Sequence, residues 1–239
     1  MTKLQLKYFD CFGRAGSIKL LFKLANSDYE DIIVPFQNWD EEKTSLDLPL
    51  EQLPVLEIDG FTLCQTKAIE RFAAAKAGLI GKCALADAKS EMMIETVSDV
   101  QMKCWMGCFG ALATEFPTVP GTARLVDNTE ENRKSRAAAF SVTFKKLFHE
   151  GCAPFDKILS LIQTNENFCV GEELTLADIL LVRLYVFSKD KILGYDFEEI
   201  SPKTFKTAEN IINNNPKIKE FVEDFLDSGK PCSGIGVMY

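Results

Sequence analysis

The strand patterns of this sequence all lie before residue 66, and that asymmetry constrains the fold more than any other feature. Residues 3–9 (KLQLKYF) and 31–35 (DIIVP) have the apolar patterns of strands. Helical spacing lies between them, with Ser17 as a candidate cap. A hairpin and a helix ending near Ala77 complete the order β-α-β-loop-β-β-α. This order predicts a thioredoxin-like α/β domain.

Beyond Ala86 the sequence contains helical patterns only. Residues 88–112 and 130–150 form two long ones, and the segment 114–128, with two prolines and a glycine, separates them. In the first pattern the predicted buried positions are Met93, Val97, Val100, Trp105, Phe109 and Leu112. Further helices are predicted to begin at Pro154, Thr175, Thr204 and Pro216. We therefore predict an α/β domain over residues 1–81 and an all-helical domain over 86–239.

The hairpin in EQLPVLEIDGFTLCQTKAIERF (51–72) is predicted to present backbone groups to a ligand. Asp59-Gly60 is a strong signal for a two-residue turn. Pro54 begins the first strand, and its preceding peptide bond is a candidate cis bond. The backbone of Val55 would then face outward and pair with an extended peptide. Thr66 is predicted to cap the next helix, whose free N–H groups attract a carboxylate. An ordinary hairpin with an ordinary cap is an equally weighted alternative.

The LTLADI stretch (174–179) predicts the start of another helix. Thr175 and Asp178 have the spacing of a capping box, and Leu174 and Ile179 that of a hydrophobic staple. We assign this device to folding and give it no role in catalysis.

Charge and cysteine content exclude several classes of function. The formal net charge of −8 argues against a nucleic-acid surface, which needs clustered basic residues. The most apolar window, residues 179–187, is too short and too charged to span a bilayer, and the N-terminus lacks the pattern of a signal peptide. Eight scattered cysteines fit reduced thiols, so we predict a cytoplasmic protein that binds no membrane. The one histidine makes a metal site at Cys104, Cys108 or Cys152 improbable, and buried thiols are favoured there.

Several motifs together resemble those of the cytosolic glutathione transferases. They are YFDCFGRAG, Trp39 with Lys43, QLPVLEIDG followed by QTKAI, and GEELTLAD. The resemblance covers both predicted domains in order and is strongest to the sigma class, which includes glutathione-dependent prostaglandin D synthases. It implies a homodimer in which the first domain binds glutathione and the helical domain binds a small apolar electrophile, as in detoxification.

The resemblance also implies a role for individual residues. Tyr8 would activate the glutathione thiol, with Arg14 adding positive potential beside it. The remaining glutathione contacts implied are Trp39 and Lys43 for the glycyl carboxylate, Gln52, Leu53 and Val55 beside the hairpin proline, Gln65 and Thr66 for the γ-glutamyl end, and Asp99 across the dimer. A tyrosine is protonated at neutral pH, so Tyr8 is expected to donate a hydrogen bond to the thiolate. The structural alternatives are a core aromatic for Tyr8, an ion pair for Arg14, and surface packing for Trp39 and Lys43.

The sequence departs from the family pattern at several positions. Thr66 replaces the commoner serine and keeps the hydroxyl group. Phe12 stands where an arginine is usual and Gly16 where an acid is usual, which removes a charged pair expected near the glutathione site or the dimer face. The 114–128 segment is a candidate lid or wall for the second-substrate pocket, and the glycine-rich tail CSGIGVMY is a second candidate cover.

Three functional interpretations follow from these patterns. The leading one is a transferase that conjugates glutathione, with peroxidase or prostaglandin-isomerising side activity left open. The others are a non-catalytic binder of glutathione and apolar ligands, and a structural protein of the same fold. Thiol-disulfide exchange through Cys11 is a weaker alternative, since Tyr8 and Arg14 are both present.

Overall fold

The computed structural model describes residues 3–36, 39–113, 115–118, 125–127, 129–190 and 194–232, apart from the side chains of 40–42 and 153. The first part of the chain is a four-stranded sheet with helices, and the second part is helical, as the sequence predicts. Within the described residues, no helix is both long enough and apolar enough to cross a membrane. The predicted division between residues 81 and 86 stays a prediction.

The elements of the first part are β1 (Leu4–Tyr8), α1 (Gly16–Leu24), β2 (Glu30–Ile33), α2 (Trp39–Ser45), β3 (Val55–Ile58), β4 (Phe61–Cys64) and α3 (Thr66–Ala77). The strands form one mixed sheet in the order β2-β1-β3-β4. Strand β1 pairs in parallel with β2 and antiparallel with β3, and β3 pairs antiparallel with β4. This is the thioredoxin-like layout, and it places the end of β1 at the centre of the sheet's edge, beside the start of β3.

The second part consists of helices, with no strand among the residues that the structure describes there beyond a single bridge. The helices are α4 (Ala84–Leu112), α5 (Glu130–Gly151), α6 (Ala153–Ile162), α7 (Leu176–Ser188), α8 (Phe197–Ile200), α9 (Pro202–Asn214) and α10 (Pro216–Asp227). Helix α8 was not predicted, because a single turn is too short to show the spacing of apolar residues that indicates a helix. Helix α7 is buried almost all round, which explains why its sequence is apolar without a polar face.

Phenylalanine packing accounts for much of the helical core. Phe140, Phe144 and Phe148 lie one turn apart on α5, are buried, and stack along the helix with centroid separations of 6.1 and 5.9 Å. Tyr195 stacks on Phe148 at 3.9 Å and donates its hydroxyl proton to the Leu184 carbonyl. Offset aromatic pairs of this kind add stabilisation beyond the apolar area that they bury.

The predicted hairpin turn is confirmed. Asp59 and Gly60 have φ angles of 47° and 89°, the pair of positive values that a type I′ turn needs, and Ile58 pairs with Phe61 across it. The Leu53–Pro54 peptide bond is cis.

The Thr175–Asp178 device is also confirmed as the start of α7. The buried Asp178 carboxylate accepts the Thr175 N–H at 2.7 Å and the Cys169 N–H at 2.7 Å. Burial raises the pKa of Asp178 above its ordinary value, and these hydrogen bonds to the carboxylate act in the opposite direction.

Three predictions about helix residues are wrong. Ser17 does not cap α1 but lies within it, buried, and donates its hydroxyl proton to Glu70 at 2.5 Å. Phe109 is not buried but 38% exposed, because it lies on the face of α4 that lines a cavity. Trp105, also predicted to be buried, lines the same cavity and is half-buried.

The two predicted covers of the second-substrate pocket fall mostly outside the described residues. Of the 114–128 segment, the described part contains an antiparallel bridge between Thr118 and the buried Leu125. Of the tail CSGIGVMY, only Cys232 is described, and it is buried.

Candidate active site

A cavity of about 400 Å³ lies between the α/β part and the helical part of the chain. Its lining residues come from the end of β1 and the turn after it, the start of α3, the second half of α4 and the second half of α7. They are Tyr8, Gly13, Arg14, Gln65, Thr66, Lys67, Glu70, Ser98, Gln101, Met102, Trp105, Phe109, Arg183 and Phe187. The cavity therefore brings together four of the predicted site residues, Tyr8, Arg14, Gln65 and Thr66.

Tyr8 is the last residue of β1, and the turn that follows fixes its hydroxyl group. The Arg14 backbone N–H donates to the Tyr8 Oη at 2.9 Å. Gly13 has a φ of +44°, and a Cβ atom at this position would lie 2.4 Å from that oxygen. Only glycine combines this backbone conformation with so close an approach. The phenol oxygen thus accepts one hydrogen bond from the turn and keeps its own proton for another partner.

The Tyr8 phenol stays protonated in this environment. Its side chain is only 5% exposed, and burial, the largest cause, raises its pKa well above the ordinary value, outweighing the Arg14 N–H bond and the charges of Arg14 and Arg183. The structure therefore gives Tyr8 the state of a hydrogen-bond donor at neutral pH.

Arg14 is exposed and lies in the cavity wall. It makes no ion pair with any residue that the structure describes, which removes support for the alternative of a structural ion pair.

Gln65, and not Thr66, is the residue that precedes α3. Gln65 has φ 74° and ψ 116° and makes no side-chain cap bond, and Thr66 is already the first helical residue. The predicted Thr66 cap is therefore wrong. A non-glycine residue in this conformation is strained by roughly 1–3 kcal/mol, and such strain concentrates at ligand sites. In this conformation the exposed Gln65 lines the cavity beside the first N–H groups of α3, which favour an anion.

The backbone of Val55 does not face outward as predicted. Val55 is fully buried and pairs with Lys7 of β1 on one side and Cys64 of β4 on the other. The Asp59 N–H donates to the Lys3 carbonyl at 3.2 Å, so by two-residue alternation the Val55 peptide groups face Lys7. The Val55 peptide groups are therefore paired within the sheet and cannot pair with a ligand. Leu53, on the other side of the cis bond, is half-buried and lies outside both ladders.

Four other predicted residues do not line the cavity. Trp39 begins α2 and meets Phe9, the neighbour of Tyr8, edge to face with a centroid separation of 5.3 Å. Lys43 lies in the last turn of the same helix and is half-buried. Gln52 is exposed in the bend before β3, and Asp99 is exposed on α4.

Sequence reasoning missed a buried charged pair in the cavity. Glu70 of α3 is 2% exposed and Arg183 of α7 is 6% exposed, and the Arg183 Nη1 donates to the Glu70 Oε1 at 2.8 Å. Arg183 stands alone within the apolar window of residues 179–187, and an isolated charge in such a run is the signal that could have identified it.

The Phe12 and Gly16 departures lie at the junction of the two parts of the chain. Phe12 is 1% exposed, and its ring meets Phe187 at 6.0 Å and Phe225 at 5.1 Å. A Cβ atom at Gly16 would lie 2.3 Å from that ring, so the large residue and the small one fit each other. An aromatic contact with the helical part therefore stands where the charged pair was expected, and an effect on the dimer face stays a prediction.

The C-terminal segment also holds the turn that follows Tyr8, a contact that the sequence did not indicate. The Phe12 N–H donates to the Pro231 carbonyl at 3.1 Å and the Gly13 N–H donates to the Cys232 carbonyl at 3.0 Å. Cys232 is anchored in turn by its own N–H, which donates to Asp190 at 3.0 Å.

Cys11 is a poor candidate for thiol chemistry. It is 3% exposed, and burial raises the pKa of its thiol to about 12. A reactive cysteine needs an accessible thiolate, so the weaker alternative of disulfide exchange loses support.

The fold and the cavity define a class of protein, in which a thioredoxin-like domain and a helical domain share a cleft with a protonated tyrosine at its edge. Residues 4–75 match the family model of the glutathione S-transferase N-terminal domain, and residues 122–224 match that of the C-terminal domain. A probable glutathione S-transferase of Caenorhabditis elegans is 35% identical over 225 residues, covering 93% of this chain and 96% of the relative. The chain belongs to the glutathione S-transferase family.

Two further comparisons agree with this assignment. Human glutathione S-transferase A1 is 29% identical over 224 residues, covering 92% of this chain and 88% of the relative. The crystal structure of a monomeric glutathione S-transferase from the hookworm Necator americanus matches with a TM-score of 0.69 and 27% identity, covering 93% of this chain and 97% of that one. Glutathione is the co-substrate of this family, and the N-terminal domain binds it.

Proposed function

We propose that this protein is a glutathione transferase in which Tyr8 holds the glutathione sulfur as a thiolate for attack on a small apolar electrophile. The observation that carries the proposal is the 2.9 Å bond from the Arg14 N–H to the Tyr8 Oη at the cavity edge. This bond orients the Tyr8 phenol. Because burial keeps the phenol protonated, it can donate a hydrogen bond to the glutathione sulfur.

The energy that this arrangement must supply is modest. A free thiol has a pKa of about 8.5, and lowering it by two units requires about 2.7 kcal/mol in favour of the thiolate. A hydrogen bond to a charged acceptor contributes about 1.5–3 kcal/mol. Tyr8 can therefore supply most of the shift, and the nearby charge of Arg14 can supply the rest.

The rest of glutathione is proposed to lie along the edge where β3 and α3 begin. Gln65 and Thr66 would bind the γ-glutamyl end, and the peptide groups of Leu53 would take the pairing role first expected of Val55. Trp39 and Lys43 on α2, with Gln52 nearby, would hold the glycyl carboxylate. The ring contact from Trp39 through Phe9 to Tyr8 supports a position for α2 beside the thiol end of the site.

The second substrate is proposed to occupy the part of the cavity formed by α4 and α7. Met102, Trp105, Phe109 and Phe187 are the large apolar residues that line the cavity with Tyr8. We place the protein near the sigma class on its motifs, with peroxide reduction and prostaglandin isomerisation as extensions of the same thiolate chemistry. Eight free thiols fit a cytoplasmic location, which is part of the proposal.

The proposed assembly is a homodimer in which Asp99 reaches the partner's glutathione. Asp99 is exposed on α4 and lies outside the cavity of its own chain, which supports a role across an interface. If sedimentation shows a monomer, or if Asp99→Ala binds glutathione as tightly as wild type, this part of the proposal fails.

The experiment that tests the function compares glutathione conjugation of an aromatic chloride by wild type, Tyr8→Phe and Tyr29→Phe. Tyr29 is half-buried in the same domain and outside the cavity, so it controls for the loss of a hydroxyl group. We expect Tyr8→Phe to lower kcat/KM about 10- to 100-fold and Tyr29→Phe to leave it near wild type. Thermal stabilisation by glutathione without turnover would instead indicate the non-catalytic binder, and neither signal would indicate the structural protein.

A further inference from the structure

A buried carboxylate joins α3 to two other helices at the cavity wall. Glu70 lies in α3, is 2% exposed, and lines the cavity that contains Tyr8. A carboxylate is rarely buried without hydrogen-bond partners, so its partners show what it holds in place. The partners of Glu70 come from α1 in the first part of the chain and from α7 in the second.

Two donors from different helices converge on one oxygen atom of Glu70. The Ser17 hydroxyl group of α1 donates to the Glu70 Oε1 at 2.5 Å, and the Arg183 Nη1 of α7 donates to the same atom at 2.8 Å. The Arg183 Nη2 donates in turn to the Gln101 Oε1 on α4 at 2.9 Å. Because the planar guanidinium is held on both of its outer nitrogens, it fixes the position of the carboxylate oxygen that Ser17 reaches.

The Ser17 end of this contact leads back to the Tyr8 hydroxyl group. Ser17 lies in the first turn of α1, three residues after Arg14, whose backbone N–H donates to the Tyr8 Oη at 2.9 Å. Residues 9–15, which connect β1 to α1, make no ladder pair with β2 or β3. The sheet alone therefore does not fix this turn, and the contacts of α1 help to place it.

The Glu70 end leads to the proposed γ-glutamyl site. Glu70 follows Thr66 by four residues, so the two side chains lie on one face of α3, about 6 Å apart along its axis. Gln65 and Thr66 line the cavity together with Glu70. Among the described residues, the bond from Ser17 to Glu70 is the only hydrogen bond that joins α1 to α3. It therefore links the segment that holds the Tyr8 hydroxyl to the segment that would hold the other end of glutathione.

We propose that Glu70 is a positioning residue that sets the distance between the Tyr8 hydroxyl and the start of α3, and so between the sulfur and the γ-glutamyl group of bound glutathione. This inference rests on the proposed function. Glu70 needs no contact with glutathione for this role, because it acts through Ser17 on one side and through α3 on the other. Binding of a remote group raises the rate when that group holds the reacting atom in place. The contribution of the γ-glutamyl group to catalysis therefore depends on the bond from Ser17 to Glu70.

Two thiol substrates and three variants test this role. The kcat and KM are measured separately for glutathione and for cysteinylglycine, which lacks the γ-glutamyl group, with one aromatic chloride as the electrophile. Ser17→Ala removes the bond and leaves the charged pair intact. Glu70→Met with Arg183→Met removes both charges together, so that neither is left buried without its partner. Thr204→Val is the matched control, because the buried Thr204 hydroxyl donates to the Asp156 Oδ1 at 2.6 Å and neither residue lines the cavity.

The pKa of the bound glutathione thiol, followed by the ultraviolet absorbance of the thiolate, is a second readout that needs no turnover. Glutathione is held at both ends, whereas cysteinylglycine can follow a displaced Tyr8 hydroxyl. We therefore expect the kcat ratio of glutathione to cysteinylglycine to fall about tenfold in Ser17→Ala and in the double variant. The thiol pKa of bound glutathione should rise by about one unit in the same variants, which is the equivalent tenfold change.

The control separates positioning from a general loss of stability. Thr204→Val should lower Tm and leave the kcat ratio and the thiol pKa at their wild-type values. If Ser17→Ala lowers kcat equally for both thiols, or leaves the ratio and the pKa unchanged, the inference is overturned while the function of Tyr8 stands. A wild-type protein that neither lowers the thiol pKa of glutathione nor conjugates it refutes the proposed function, and this inference with it.

Discussion

Replacing Gly13 by alanine tests whether the turn after β1 sets the position of the Tyr8 hydroxyl group. The added Cβ would lie 2.4 Å from the Tyr8 Oη and 2.8 Å from its Cε1, whereas ordinary contacts begin near 3.4 Å. The phenol must then retreat by about 1 Å, because the Cβ is fixed to the backbone. A misplacement of that size can cost about a hundredfold in rate.

The stability effect of Gly13→Ala has two parts. A non-glycine residue at φ +44° costs about 1–2 kcal/mol, and overpacking against a buried ring adds about 1–3 kcal/mol. For a chain of this length, each kcal/mol lowers Tm by about 2–4 °C. We therefore expect a folded variant whose Tm is lower by about 5–15 °C.

Gly78→Ala is the matched control. Gly78 has a φ of +71°, and a Cβ atom added there would meet nothing within 4 Å, so its replacement carries the backbone cost alone. The assays are kcat/KM for conjugation and the pKa of bound glutathione, followed by the ultraviolet absorbance of the thiolate. Gly13→Ala should raise that pKa by about one to two units, within the range that a lost charged hydrogen bond allows, and Gly78→Ala should not. A Gly13→Ala enzyme with the wild-type thiol pKa and wild-type rate would refute this account of Tyr8.

Three other predictions follow from particular contacts. Gly16→Ala should lower the free energy of unfolding, measured in urea, by about 1–3 kcal/mol, because the added Cβ meets the buried Phe12 ring. Gly110→Ala on α4, where an added Cβ meets nothing within 4 Å, should instead raise that free energy by up to about 1 kcal/mol. Equal effects of the two substitutions would contradict the reasoning. Burial raises the pKa of Tyr8 above 10.0, so the phenol stays neutral and its ionisation should cause no decrease in kcat/KM as the pH rises to about 10. A decrease near that pH that disappears in Tyr8→Phe would show that the phenol has an ordinary pKa. Deleting residues 229–239 removes the Pro231 and Cys232 carbonyls that accept hydrogen bonds from the turn, so it should lower the free energy of unfolding by about 1–3 kcal/mol and also lower kcat/KM. Deletion after Cys232 keeps both bonds. Comparing the two deletions therefore separates the loss of these bonds from the loss of the residues beyond them.

The order of elements could be predicted because each has a strong local signal. The Asp59-Gly60 turn and the Thr175–Asp178 pair act within a few residues of themselves, so their sequence patterns survive unchanged in the fold. The errors arose where a distant partner decided the outcome. Ser17 has the chemistry of a cap, but Glu70 on another helix takes its hydroxyl proton, and α1 begins one residue earlier.

The site was predictable only in part, for a similar reason. Tyr8, Arg14, Gln65 and Thr66 were identified by resemblance, and the structure brings all four to one cavity. The expectation for Val55 failed, because whether a backbone group is free depends on strand order, which a hairpin signal does not contain. Arg183 was missed because its partners lie in two other helices, and no short-range pattern links them.

The turn that follows Tyr8 is held by contacts from the helical part of the chain and from the C-terminal segment. Phe12 packs on rings from α7 and α10, the N–H groups of Phe12 and Gly13 are held by the C-terminal segment, and Glu70 is tied to α7 through Arg183. The contacts of Phe12 and Gly13 hold the turn whose Arg14 N–H donates to the Tyr8 hydroxyl oxygen, and the contact of Glu70 holds helix α3. Where the resemblance led us to expect a charged pair in this turn, Phe12 supplies aromatic packing, which needs no charge balance. The Tyr8 hydroxyl oxygen accepts the Arg14 N–H of this turn, so the contacts that hold the turn also hold the phenol, whose pKa is raised chiefly by burial.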